Sequence, residues 1–201
     1  MDGFERRKQK KLAQIYTAAI ELFFKYGFQK ISVNEIAQQA KVSPATIYNY
    51  FGTKEQLYAD SLFYWMDKQL QHYESILNAE LTFVEKTKQI MLLEAENLKK
   101  LTNELPQLSS QEQDDMLKSM DDYAEQKLTD FFKKYVALGR KEGYISKSQS
   151  DVVIMRYFML FQRELSRYWR ESTPELTTTQ QELDHMLQLF FYGLAGDRQV
   201  Q

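Results

Sequence analysis

Helix-start punctuation constrains this chain more than any other feature of its sequence. At Ser32, Thr53, Thr82, Ser148 and Thr178 a hydroxyl residue stands three positions ahead of Glu35, Gln56, Glu85, Asp151 and Gln181. Apolar residues at three- and four-residue steps follow these pairs. A Ser or Thr at a helix N-cap accepts from the backbone N–H three residues on, and an acidic or amide side chain there can return the bond. Seven glycines and three prolines in 201 residues leave little turn chemistry for a many-stranded sheet. The expected class is therefore all-α, with about nine helices.

The first 60 residues divide finely. Leu12, Ile15, Tyr16, Ala19, Leu22, Phe23 and Tyr26 form one stripe of a helix from about Glu5 that stops at Gly27. Ser32 opens a short second helix with Ile36, Ala37 and Ala40 inward. Ser43 followed by Pro44 is an N-cap with a first-turn proline, so a third helix begins after a break of only Lys41, Val42 and Ser43. Gly52 ends that helix, and Thr53 with Gln56 caps a long fourth, about 54–80.

Farther on, a helix capped by Thr82 carries Phe83, Ile90, Met91, Leu98 and Leu101 and ends near Pro106. From Ser110 to Lys141 the pattern stays helical, as one helix or two, and Gly143 is its expected stop. A helix capped by Ser148 runs to about Glu171, and one capped by Thr178 runs to near Gly196. The domain reading is residues 1–52 for the first module and 53–201 for the rest, with helix four connecting them.

Steps of about 100° per residue on the third helix put Ile47 and Phe51 on the core side and Ala45, Thr46 and Asn49 opposite them, flanked by Tyr48 and Tyr50. A small polar face edged by hydroxyls suits a major groove. Short side chains let the helix approach base edges, Thr and Asn hydrogen-bond there, and tyrosine hydroxyls reach phosphates. Lys54 sits in the first turn of helix four, where a cation opposes the helix dipole by roughly 0.3–1 kcal/mol unless a negative group is near. A phosphate would remove that cost. Ser32 and Ser43, with the free amides beside them, offer further phosphate contacts.

Charge supports the same end of the molecule. Residues 1–60 carry nine Lys/Arg against six Asp/Glu, while the remainder is net acidic at −5. Phosphate attraction follows local charge rather than the total. The basic N-terminus is followed by periodic rather than continuous apolar residues, so no signal peptide is read there. No apolar run approaches a membrane span. The absence of cysteine excludes disulfides, thiolate metal sites and a Cys nucleophile, and fits a reducing, cytoplasmic setting.

The stretch Ile31 to Tyr58, "ISVNEIAQQAKVSPATIYNYFGTKEQLY", resembles the DNA-binding signature of the TetR/AcrR family of transcriptional regulators. The resemblance covers roughly residues 8–65 by motif and the remainder by plan. It implies an N-terminal three-helix helix-turn-helix domain joined by a long helix to a helical ligand-binding and dimerisation domain. The implied function is a homodimeric repressor that binds palindromic double-stranded operator DNA and is released by an unidentified small-molecule effector. The family's contact positions fall on Pro44, Ala45, Thr46, Tyr48, Asn49 and Tyr50, with Ser43 at the cap, and Lys54 matches its phosphate-contacting lysine. The chain departs from the family at the turn, where Lys41 replaces a frequent glycine, and at Ala45, where many members have glycine.

The C-terminal body supports two further expectations. The segment Val152–Phe161 is apolar nearly all round, which in a water-soluble chain means burial on both faces. Val153, Phe158, Phe161, Leu183, Leu187, Phe190, Phe191 and Leu194 are therefore expected at a two-fold dimer interface. Met91, Met116, Met120, Tyr123 and Phe131 could border an effector cavity, with Glu94 as a polar anchor. The alternative reading is a helical adaptor or membrane-associated interaction protein. Catalysis, a cofactor or a metal is not expected, because His72 and His185 stand alone and no HExxH or phosphate loop occurs.

Overall fold

The computed structural model describes residues 3–104, 110–171, 185 and 188–190. Within them run seven helices: α1 (Gly3–Tyr26), α2 (Val33–Gln39), α3 (Pro44–Phe51), α4 (Lys54–Leu77), α5 (Phe83–Glu104), α6 (Ser110–Lys141) and α7 (Asp151–Glu171). The segment whose continuity the sequence left open, 110–141, is one helix. The final helix expected from Thr178 lies almost wholly outside the described residues. No helix among those described is long and apolar enough to cross a membrane.

The caps explain the boundaries, with two corrections. Ser32 and Glu35 form the full reciprocal box, as do Thr82 and Glu85. Thr53 accepts from Gln56 N–H at 3.1 Å, but the Gln56 amide donates instead to Asp60 at 2.8 Å, so that box is half made. Ser148 does not cap α7. Its hydroxyl bonds Ser146, and Ser150 Oγ accepts from Val153 N–H at 3.3 Å. The expected stops are in place: Gly27 after α1 has φ 90°, and Gly143 after α6 has φ 84°.

The chain divides into two compact units, the described residues of 1–74 with 100–129, and those of 75–99 with the residues from 130 onward. In the first, Ile15, Ala19, Phe23, Ile36, Ile47, Leu57 and Leu62 are buried in one core. The Phe23 ring meets Tyr58 edge-on at 4.9 Å, and Tyr16 meets Phe51 at 5.5 Å. These aromatic contacts hold α3 and the start of α4 against α1. Met120 of α6 belongs to the same core, Tyr123 stacks on Phe63 at 4.7 Å, and Lys127 pairs with Asp67 at 3.4 Å.

The second unit is built around Phe83, whose ring packs on Tyr135 at 4.8 Å and Tyr144 at 5.3 Å. Burial of polar atoms there is compensated: Thr87 Oγ1 donates to Phe83 O at 2.8 Å and shares a hydrogen bond with the Tyr135 hydroxyl at 2.9 Å. That buried position pushes the Tyr135 hydroxyl pKa well up, chiefly by desolvation. Phe158 of α7 closes the cluster against Phe132 at 5.4 Å.

Candidate nucleic-acid interface

The candidate interface is built on the turn between α2 and α3. Lys41 adopts φ 56°, and Val42 N–H reaches back to Ala37 O at 2.9 Å while Lys41 N–H bonds Gln38 O. This Schellman motif ends α2 abruptly. Ser43 then restarts the chain: its Oγ accepts from Thr46 N–H at 3.2 Å, and Pro44 supplies a preset first turn. Two short helices therefore meet at a fixed angle without glycine in the turn.

The wheel reading of α3 holds in three dimensions. Ile47 and Phe51 are buried, while Ala45, Asn49, Tyr48 and Tyr50 are exposed, the two tyrosines at 52% and 40%. Pro44 and Thr46 are half-buried. Thr46 Oγ1 lies 2.9 Å from Ser43 Oγ, so this hydroxyl enters any base contact from an existing local bond.

Two phosphate candidates are more committed than the sequence suggested. Ser32 donates both its N–H and its hydroxyl to Glu35 Oε2, at 2.8 and 2.7 Å, and those bonds hold the Glu35 carboxyl below its ordinary range. A phosphate at Ser32 must therefore displace or share that carboxylate. Lys54 is half-buried, with its ammonium 4.3 Å from the centre of the Phe28 ring. Partial burial lowers its pKa, against the opposing pull of Glu55 and Glu35. The ring face and the two carboxylates favour the Lys54 cation, but the direction of its shift shows that they do not outweigh its partial burial. Sequence reasoning missed Phe28, because it stands in a loop outside the helical periodicity and meets Lys54 only through the fold.

The remaining expected sites are divided between the two units. Met120 and Tyr123 belong to the first unit, where Tyr123 also bonds Asp67, while Met91, Glu94 and Phe131 lie in the second. The Met116 side chain lies outside those described. Of the expected dimer set, Phe158 and Phe161 are half-buried and make ring contacts within their own chain, Phe158 with Phe132 at 5.4 Å and Phe161 with Phe190 at 4.9 Å. Val153 is 56% exposed, and it shares its open side with Val152, Met159 and Leu160. Leu183, Leu187, Phe191 and Leu194 lie outside the described residues.

Residues 15–60 match the family described as bacterial regulatory proteins, tetR family. The fatty acid metabolism regulator protein of Bacillus subtilis is 32% identical over 81 residues, 40% of this chain and 42% of that protein. The transcriptional regulator HbdR of Aromatoleum sp. is 41% identical over 61 residues, 30% of this chain and 25% of that protein. The chain thus spans less than half the length of these curated relatives. Solved structures extend the likeness of fold. The fatty acid degradation regulator FadR of Bacillus halodurans has a TM-score of 0.64 at 20% identity, covering 92% of this chain and 97% of that one. FadR of Bacillus subtilis in complex with stearoyl-CoA has a TM-score of 0.54 at 21% identity, covering 90% and 98%.

Proposed function

We propose that this chain, whose residues 15–60 match the bacterial tetR family, is a ligand-responsive transcriptional repressor that binds a palindromic operator as a homodimer. The observation that carries the proposal is α3: Ala45, Tyr48, Asn49 and Tyr50 stand exposed on a helix held from behind by buried Ile47 and Phe51. In this reading residues 1–52 are the DNA-binding module. Asn49 reads a base edge, Tyr48, Tyr50 and Lys54 grip phosphates, and Ser32 and Ser43 contribute from the helix starts.

The dimer is supported by the open apolar side of α7, Val152, Val153, Met159 and Leu160. An isologous pairing there presents two copies of α3 to two half-sites. Met91, Glu94 and Phe131 remain the effector-lining candidates of the second unit. The stearoyl-CoA held by the Bacillus subtilis regulator makes acyl-CoA the first effector class to titrate.

Selection of random duplexes on the purified full chain tests this function. One enriched palindrome, bound with steep salt dependence and released by an effector, is the expected outcome. Absent or salt-insensitive DNA binding rejects it and favours a helical adaptor.

A further inference from the structure

We propose a second ligand site in the first unit, a groove that takes a small aromatic anion with at least two negative charges. The groove lies between α1, α4 and the end of α5, is open to solvent along its length and has a volume of about 710 Å³. That volume is in the range of drug-sized ligand sites. Phe24, Tyr64 and Trp65 supply its apolar wall, and Lys25, Lys68 and Lys100 supply its charge.

The wall is prearranged. Phe24 and Trp65 meet edge to face at 5.2 Å and 80°, and Tyr64 stacks on Tyr16 at 5.0 Å. Side-chain packing on both helices therefore fixes the aromatic surface, and a planar ligand gains contact area there at little ordering cost. Lys68 already lies 5.4 Å from the centre of the Tyr64 ring, so cation and ring face are presented together.

Charge specifies the sign of the occupant. All three lysines are exposed, and among the described residues no ion pair joins any of them to a carboxylate. Among the described residues one carboxylate, Glu21, lines the groove, and it accepts the Gln39 amide at 2.9 Å. Three cations around one paired carboxylate repel one another, and a bound dianion relieves that repulsion. Lysine stems covering apolar surface account for the position of one such residue, but not for three converging on a groove that holds one carboxylate among its described residues.

The inference is independent of the operator reading, and titration calorimetry of the full chain with naphthalene-2,6-disulfonate tests it. Saturable one-to-one binding that weakens with added salt is expected. Lys68→Gln/Lys100→Gln should weaken it about tenfold with an unchanged melting temperature, and ethane-1,2-disulfonate and 2-naphthol should each bind far less. No saturable binding by the wild-type chain, equal affinity in the double variant, or equal affinity for ethane-1,2-disulfonate overturns the site. Tighter binding of a poly-glutamate peptide would identify a protein-docking face and overturns it as well.

Discussion

The ammonium of Lys54 rests 4.3 Å from the centre of the Phe28 ring, so the cation expected to meet DNA is held in place by a buried core aromatic. A cation–π contact at a partly open site is worth roughly 0.5–1 kcal/mol, which stores the side chain without immobilising it. Lys54→Ala is expected to lower operator affinity and to reduce the salt slope of binding by about 1, the signature of one lost phosphate contact. Filter binding or anisotropy across a salt series measures both quantities.

Glu35 links the same corner to pH. Ser32 N–H, the largest cause, and Ser32 Oγ hold its carboxyl below the ordinary value. A lowered folded-state pKa contributes stability above the unfolded value of about 4.3, and that contribution is lost as pH falls through the folded value. Glu35→Gln keeps acceptors for both Ser32 bonds but does not titrate. The wild type should be the more stable at pH 7, with the gap closing below about pH 4, as read by thermal melts across that range.

Lys41 holds φ 56° at the turn. A left-handed non-glycine residue costs roughly 1–2 kcal/mol, part of which glycine gives back through its freer unfolded chain. Lys41→Gly should therefore raise stability by up to about 1 kcal/mol, measured by urea unfolding.

Gly139 shows the opposite sensitivity. A methyl group there would stand 2.6 Å from Ile145 Cδ1 and 2.8 Å from Phe83 Cζ. Phe83 is fully buried between Tyr135 and Tyr144 and has no room to retreat. Gly139→Ala is expected to cost about 1–3 kcal/mol, a fall of several degrees in melting temperature.

The open side of α7 gives the oligomer test. Leu160 is 67% exposed and Val153 56%, whereas Phe158 and Phe161 pack on their own chain. Leu160→Glu with Val153→Glu should give a folded monomer by light scattering. Charging Phe158 should instead lower thermal stability, because it breaks an intrachain ring cluster.

By itself the sequence determined whatever depends on neighbours three or four residues apart. The Ser32–Glu35 and Thr82–Glu85 boxes, the stop at Gly27, the turn at Lys41 and the two faces of α3 are all local, because capping and helical periodicity are set within one or two turns. Tertiary structure decided which of several local options wins. Ser150 rather than Ser148 capped α7, and Gln56 turned to Asp60 instead of back to Thr53. It also chose partners across long separations: Phe28 beneath Lys54, Met120 in the core of the first unit, and Phe158 against Phe132 while Leu160 stayed open. An all-round apolar helix carries no mark of which side its own chain will cover, and a loop aromatic carries none of the cation it will support, because both are settled only when distant helices pack.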